Sequence, residues 1–372
     1  MKRSKSVIVV ILACVFVFGF LICGILLPDE DVSETERRRL TKIPEISVNS
    51  VLSGKFMTDF EAYALDQFPL RDNFRKLKSI VARDVMFQKD NNGYYDYNGY
   101  IIKSSYPYNG ESVSYATSRF NYIYETYLKE TDSKVYFTLI PDKSFFVPQK
   151  EGYLTMDYTA FSKNVAEDMK YAEFIDVFPL LELSDYYATD THWRQEKITD
   201  VAVHIADSMG VLINSDYTVE KIDIPFYGVY HGQSALSVEP DTMYYLESDT
   251  LKNCTAKDIE TGLYFPIYDM EKLSGEKDDD ITDPYEMFLS GPNRAIVELE
   301  NKNATSEKEL IIFRDSYANA IAPMLLEGYK KITLIDIRRA SPRFLGEFVE
   351  FNGQDVLFMQ STLVLNESSE IK

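Results

Sequence analysis

The longest hydrophobic stretch of the chain is an uninterrupted run near its start, from Val7 to Leu27, which contains no charged residue. About 20 apolar residues in a helix are enough to cross a bilayer. Lys2, Arg3 and Lys5 precede the run, and a basic flank of this kind stays on the cytoplasmic side. The pattern predicts a single-pass plasma-membrane anchor over residues 1–28, with the rest of the chain outside the cytoplasm.

Two other interpretations of this run concern its removal or modification. A cleaved signal peptide would end in small residues at an A-x-A-like site, and no such site follows here. A lipoprotein would use Cys23, but Ile22 occupies the position where a small residue is usual. The uncleaved anchor is therefore favoured. The polar residues 29–50 that follow it predict a stalk.

The pattern changes along residues 51–372, the predicted extracytoplasmic domain. Apolar and aromatic residues recur at helical spacing from Phe56 to Ala64, and Pro69 interrupts that helix. The stretch "NNGYYDYNGYII" predicts a hairpin with two glycine-bearing turns. Residues 211–306 show no regular alternation and predict an irregular β-rich insertion, which includes the acidic loop "EKDDD".

Buried strands and amphipathic helices alternate from about Val113 onward, apart from that insertion. Short runs of β-forming residues predict strands at "KVYFTLI", "EFIDVF", "ELIIF", "ITLID" and "DVLFMQ". Helical spacing predicts helices over 114–130 and 160–170, and another from Ile198 that ends at Gly210. This alternation is typical of an α/β fold, with a mainly parallel sheet covered on both faces.

Charge and cysteine content exclude several classes of function. The chain carries a net charge of −20. All the basic residues of 1–27 lie in the short flank, so the outer part is still more acidic and should bind neither nucleic acid nor a strongly anionic polymer. A neutral glycan remains compatible with this charge. Cys254 is the only cysteine outside the apolar run, which excludes a disulfide or a Cys-based metal site in the outer part.

Ser316 is the first candidate for chemistry, in the stretch "IIFRDSYAN". It follows a predicted buried strand and directly precedes a helix that begins near Ala318. The carboxyl edge of a parallel sheet is where open α/β folds bind ligands, and a helix N-terminus offers free N–H groups for a developing oxyanion. The alternative is a helix cap, since Asp and Ser are favoured there.

A second candidate is the pair Asp190 and His192 in "ATDTHWR". In an extended segment both side chains point to the same side. The carboxylate would orient the imidazole, which would accept the proton of a serine hydroxyl. An ordinary polar surface pair and a metal site are the alternatives, although few further ligands are available for a metal. The neighbouring Trp193 is more typical of a core anchor.

The block "TDTHW" and the downstream "DSY" resemble the DHHW family and the related alginate O-acetylation proteins of the SGNH/GDSL-like hydrolase group. The segments "ERRRLTKIPEI", "FEAYALDQFPLRD", "LIPDKSFF" and "FRDSYANAIAPML" are also similar to family regions. Thr191 replaces the second histidine of the family name, as in the alginate-type proteins. The resemblance implies a three-layer SGNH-like fold, with the catalytic blocks in permuted order.

The resemblance also implies a function. Ser316 would be the nucleophile, His192 the general base and Asp190 its orienting carboxylate, without any cofactor or metal. The reaction would be O-acetylation of a cell-surface or secreted glycan through an ester on Ser316. A membrane-bound O-acyltransferase would supply the acyl group. A carbohydrate acetylesterase, a non-catalytic glycan-binding scaffold and a metal-dependent hydrolase are the alternatives.

Several other residues are candidates for contacts within such a site. The Ser316 N–H, the Asn319 side chain and the turn at Gly232 are candidate oxyanion donors, although Asn319 would equally fit a solvent-facing helix position. The candidate substrate contacts are Lys143, Arg314 and Tyr317. A simple salt bridge with an acidic neighbour is the alternative role for Arg314.

Overall fold

A mixed β-sheet forms the centre of the chain in the computed structural model, which describes residues 2–149, 152–213, 216–273, 283–291 and 293–372. Over these residues the strands are β1 Val32–Ser33, β2 Arg38–Arg39, β3 Tyr94–Tyr97, β4 Tyr100–Lys103, β5 Val135–Ile140, β6 Glu173–Phe174, β7 Thr218–Phe226, β8 Asp241–Glu247, β9 Cys254–Asp258, β10 Tyr264–Phe265, β11 Ile296–Asn301, β12 Glu309–Arg314, β13 Lys331–Ile335 and β14 Asp355–Ser361. The helices are α1 Lys2–Leu26, α2 Val48–Leu52, α3 Lys55–Asp66, α4 Arg71–Ile80, α5 Gly110–Ile123, α6 Tyr158–Asp168, α7 Thr199–Ser208, α8 Val229–Ser234, α9 Asp249–Asn253, α10 Ala318–Leu325 and α11 Thr362–Asn366.

The central sheet has the strand order β10-β9-β11-β13-β12-β14-β5-β6. The strands from β13 to β6 in this order are parallel, whereas β11, β9 and β10 pair antiparallel at the other edge. Every residue of β5 and β14 is buried, as expected for parallel strands that are covered on both faces. The predicted α/β class is confirmed, and the sheet is mixed at one edge.

Helices pack on both faces of this sheet. Because side chains alternate along a strand, Leu310 and Ile312 of β12 contact a core that contains α7 and α10. Ile311 and Phe313 point to the opposite face, in a core with α5 and α6. The carboxyl end of β12 therefore lies between two helical layers, next to the start of α10.

The region predicted as an irregular insertion contributes to the central sheet. Its strands β9, β10 and β11 form the antiparallel edge, while β7 and β8 form a separate hairpin. The acidic loop "EKDDD", residues 276–280, lies outside the described residues.

Part of the segment predicted as a stalk, residues 29–50, packs against the domain, whereas most of residues 43–50 are exposed. β1 and β2 pair as a short hairpin, and Leu40 is buried. Arg38 donates to both carboxylate oxygens of Asp66 in α3, at 2.9 and 2.6 Å. Arg38 and Glu36 thus have charged partners within the protein, although the Asp31–Lys42 pair of the same segment is exposed.

Candidate active site

The turn that carries Ser316 joins β12 to α10. Its preceding residue, Asp315, is fully buried and fixes the turn through both carboxylate oxygens. Oδ1 accepts the N–H of Tyr317 at 3.0 Å, and Oδ2 accepts the N–H of Ser361, at the end of β14, at 2.7 Å. Ser316 is therefore held at the carboxyl edge of the parallel strands, where the sequence predicted it.

The structure brings Ser316, His192 and Asp190 together in one hydrogen-bonded row. Ser316 Oγ lies 2.7 Å from His192 Nε2, and His192 Nδ1 lies 2.6 Å from Asp190 Oδ1. With the ring proton on Nδ1, the serine hydroxyl donates to the imidazole and the imidazole donates to the carboxylate. These distances are within the reach that proton transfer requires, and the order of groups is that of a Ser-His-Asp triad.

The Asp190 carboxylate is fully buried and multiply bonded. Oδ1 accepts the backbone N–H of His192 at 3.0 Å, and Oδ2 accepts that of Val229 at 2.8 Å. Burial by itself would raise the pKa of Asp190, but His192, the Arg37 charge and the Val229 N–H outweigh it, and the pKa lies below its usual range. The carboxylate thus stays charged opposite the imidazole.

A glycine allows the chain to approach this carboxylate closely. A Cβ at Gly228 would lie 2.3 Å from Asp190 Cβ, so a side chain there would displace the loop. The Gly228 N–H also donates to Thr189 Oγ1 at 2.8 Å. In turn, Asp241 accepts N–H groups of Ala188 and Thr189, both at 2.8 Å. The loop before His192 is therefore fixed by its backbone.

The opposite side of the loop is fixed to the serine turn. Trp193 is fully buried, as expected for a core anchor, and its Nε1–H donates to the carbonyl of Tyr317 at 3.0 Å. The Tyr317 hydroxyl donates to the carbonyl of Thr191 at 2.6 Å. These two bonds cross between the segments that carry His192 and Ser316, and so they set the distance between the two side chains.

Three residues that sequence reasoning missed complete the surroundings of the imidazole. The Tyr285 ring stacks on the His192 ring, with centroids 3.8 Å apart and an interplanar angle of 6°. Arg37 Nη1 lies 2.6 Å from Asp283 Oδ1 and 4.0 Å from Asp190 Oδ2. Burial raises the pKa of Asp283, although Arg37 opposes this shift. Arg37 thus lies between the buried carboxylate of Asp190 and the partly exposed carboxylate of Asp283.

A cavity of about 580 Å³ opens beside Ser316, and we call it the Ser316 cavity. Asn319 lines it, is buried, and has an Oδ1 without a hydrogen-bond partner among the described residues. Asn319 is therefore not a solvent-facing helix residue, and its side-chain amide borders the cavity. The cavity is also lined by His192, Asp283, Tyr285, Glu286, Gly291, Ser316, Arg338, Arg339 and Glu370.

Two of the other sequence candidates are fully occupied by structural contacts away from this cavity. Gly232 packs against the β1–β2 hairpin, where a Cβ would lie 1.6 Å from the Thr35 carbonyl oxygen. Lys143 is buried, and its Nζ donates to the carbonyls of Tyr187 and Ala188 at 3.0 and 3.1 Å. Burial lowers the pKa of Lys143 to about 7. Lys143 therefore supports the Asp190 loop from behind.

The remaining two candidates also lie outside the cavity lining. Tyr317 is buried between the two triad segments, where its hydroxyl is engaged by Thr191. Arg314 is buried as well, and burial lowers its pKa; its Nη2 donates to the Arg294 carbonyl at 3.4 Å. No ion pair within 4.0 Å involves Arg314 in the described part of the chain. Neither residue is placed to contact a ligand beside Ser316.

The described residues contain no group of three or more His, Cys, Asp or Glu side chains arranged to hold a metal ion. The same part of the chain has one helix long and apolar enough to cross a membrane, Val7–Leu26. A signal sequence would have the same length and composition.

The fold is similar to that of solved structures. A DHHW family protein from Eubacterium siraeum DSM 15702 has a TM-score of 0.59 and 22% identity, over 76% of this chain and 95% of that chain. Bacillus cereus PatB1 has a TM-score of 0.57 and 20% identity, over 73% of this chain and 96% of that chain. PatB1 with a sulfonyl adduct has a TM-score of 0.54 at the same identity and coverage of this chain, and over 97% of its own. The sequence matches no family model and no curated protein. The resemblance to the DHHW family is thus confirmed at the level of the fold.

Proposed function

We propose that this chain is a membrane-anchored O-acetyltransferase, with an SGNH-like catalytic domain that acts on a glycan outside the cytoplasm. The observation that carries the proposal is the row of Ser316, His192 and Asp190, with contacts of 2.7 and 2.6 Å. In our proposal Ser316 is the nucleophile, His192 the general base and Asp190 the carboxylate that holds the imidazole tautomer.

The proposed reaction has two half-reactions. Ser316 Oγ attacks the carbonyl carbon of an acyl donor while His192 Nε2 takes the hydroxyl proton. The tetrahedral intermediate then collapses, the leaving group accepts that proton, and an acyl ester remains on Ser316. A glycan hydroxyl next gives its proton to His192 and attacks the ester carbonyl. When this second tetrahedral intermediate collapses, the bond to Ser316 Oγ breaks and His192 gives the proton to Ser316 Oγ, which restores the free serine. The Ser316 N–H and the Asn319 side-chain amide are the proposed donors to the oxyanion.

The surroundings of the site support these roles. The Ser316 cavity is lined by charged and polar side chains, which suits an acceptor with many hydroxyl groups. The apolar helix Val7–Leu26 would hold the domain at the outer face of a plasma membrane. There a membrane-bound O-acyltransferase, our proposed acyl donor, would deliver acyl groups.

Labelling and transfer assays on the full chain test the proposal. PatB1, which has a similar fold, has been solved with a sulfonyl adduct, and sulfonyl fluorides react with activated hydroxyl nucleophiles. We expect a sulfonyl fluoride to modify Ser316, as located by peptide mass spectrometry, and to leave Ser118 unmodified. Ser118 is the control because it is an exposed serine, so a lack of labelling there reports a lack of activation and not a lack of access.

Transfer to an added acceptor distinguishes an acetyltransferase from an acetylesterase. With an acetyl ester as donor and an oligosaccharide as acceptor, we expect acetylated oligosaccharide from the wild type and none from Ser316→Ala. Acetate release without transfer would favour the acetylesterase. Unchanged cell-surface ester content in a Ser316→Ala strain would favour a non-catalytic scaffold. Activity lost on chelation would favour a metal-dependent hydrolase.

A further inference from the structure

Large apolar side chains are exposed on the helices that follow the anchor. We call residues 48–87, which include α2, α3, α4 and the π-helical turn Val81–Val85, the juxtamembrane helices. Leu65 is 65% exposed and Leu77 is 54% exposed. The other large exposed apolar residues of this segment are Val48, Val51, Leu52, Met57, Phe60, Phe68, Leu70, Ile80, Val81, Val85, Met86 and Phe87. Such a concentration on one segment is typical of an interaction surface.

These helices contact α1 inside its apolar stretch. The Phe20 ring stacks on Phe68 at 5.3 Å between centroids, and it meets the Phe74 ring edge-on at 5.5 Å. A Cβ at Gly24 would lie 3.7 Å from Pro69. Phe20 precedes the end of α1 at Leu26 by six residues, which is about 9 Å along the helix axis. With α1 across a bilayer, Phe68 and Phe74 therefore lie at the depth of the acyl-chain boundary.

The charge balance of the juxtamembrane helices also favours a position at the membrane. Residues 48–87 contain six Lys and Arg against five Asp and Glu, whereas the whole chain has 39 against 59. Lys55 and Lys76 are exposed. A membrane surface that contains anionic lipid attracts basic side chains and repels acidic ones, so the juxtamembrane helices can approach it more closely than the acidic remainder of the domain. Both effects turn the juxtamembrane helices toward lipid.

We propose that the juxtamembrane helices lie in the outer interface of the bilayer that α1 crosses. Interfacial helices bury an apolar face about 5–10 Å into the boundary between headgroups and acyl chains, which matches the depth given by Phe20. The occupant of this surface is therefore phospholipid. The inference rests on the proposed anchoring by α1 and is independent of the proposed chemistry of Ser316.

Tryptophan quenching in the full chain tests this inference. Trp193 is the chain's single tryptophan and is fully buried, so added tryptophans can be measured against the wild type. The probes are Leu65→Trp and Leu77→Trp. Phe16→Trp reports the insertion of α1, and Leu263→Trp, at a position that is also 65% exposed, is the matched surface control. Each protein is reconstituted in phosphatidylcholine–phosphatidylglycerol vesicles, with and without brominated acyl chains.

We expect brominated lipid to reduce the added emission of Leu65→Trp and Leu77→Trp by about half, as for rings in the acyl-chain boundary, and to leave Leu263→Trp unchanged. If Phe16→Trp is quenched while the two probes behave like Leu263→Trp, α1 is an anchor and the surface proposal is overturned. If Phe16→Trp is not quenched either, the anchoring and the surface proposal both fail. The emission of the buried Trp193 and the far-UV circular dichroism verify that each variant is folded, and ester turnover by the same proteins reports the proposed chemistry separately.

Discussion

Replacing Asp190 by asparagine tests the proposed triad most directly. The substitution would nearly preserve the size of the side chain, but it would remove the negative charge and place an amide where Asp190 now accepts bonds from His192 and Val229. We expect the imidazole to lose its orientation and the stabilisation of its cationic form. The nucleophile and the cavity would stay in place.

The geometry sets the size of the effect. The 2.6 Å contact places the imidazolium and carboxylate charges about 4 Å apart, and at an effective dielectric of about 20 they attract by about 4 kcal/mol. Since each 1.36 kcal/mol is a factor of ten in rate, roughly, this term corresponds to about 10³. The wrong tautomer adds to it, so we expect kcat to fall by about 10³ to 10⁴.

The assay is hydrolysis of a chromogenic acetyl ester by the full chain in detergent micelles. Asp185→Asn is the matched control: Asp185 precedes the same loop, and its Oδ2 accepts the N–H of Glu182, so kcat should stay near the wild-type value. The reasoning is refuted if kcat of Asp190→Asn stays within about tenfold of wild type while Ser316→Ala is inactive. Asp190 would then be a structural carboxylate.

Three further predictions concern Asp190 and the residues that contact it. Arg37→Met removes the cation between Asp190 and Asp283, and we expect kcat in the same assay to fall about tenfold, or about 1.4 kcal/mol; an unchanged kcat would exclude a functional role for Arg37. Gly228→Ala introduces the 2.3 Å contact, and we expect urea unfolding, followed by Trp193 emission, to show a loss of about 1–3 kcal/mol, whereas Gly110→Ala, with its nearest atom at 3.5 Å, should show none. Folding lowers the pKa of Asp190 below 3.8. The charged Asp190 carboxylate therefore stabilises the fold fully above that pH, and this contribution is lost as pH falls through the folded pKa. The unfolding free energy should decrease more steeply below about pH 4 in the wild type than in Asp190→Asn.

Much of the central sheet could be predicted because buried parallel strands are short continuous apolar runs. β5, β12 and β14 fall where "KVYFTLI", "ELIIF" and "DVLFMQ" indicated, and the hairpin of β3 and β4 was also predicted correctly. The antiparallel edge was not predicted. β11 is defined by its pairing with β13 and β9, and long-range pairing leaves little local pattern in the sequence.

The three residues of the proposed triad could be named from local context and from the resemblance, although 124 positions in sequence separate His192 from Ser316. The residues that surround this proposed triad could not be predicted from the sequence. Arg37 lies in a run of charged residues that indicates solvent, yet its side chain is only 9% exposed in the folded protein. Lys143 and Arg314 were predicted to contact ligand because they are charged, but the sequence does not show whether a charged side chain faces a cavity or a backbone carbonyl.

The position of Arg37 has a practical consequence for any soluble preparation of this domain. Arg37 follows the end of α1 at Leu26 by only eleven residues. A fragment that starts just after α1 keeps the β1–β2 hairpin and Arg37. A fragment trimmed beyond Arg39 retains Ser316, His192 and Asp190, but Asp190 and Asp283 then lack the Arg37 charge between them. The released domain therefore keeps the complete surroundings of Asp190 only if the cleavage site or the cloning boundary lies between Leu26 and Arg37.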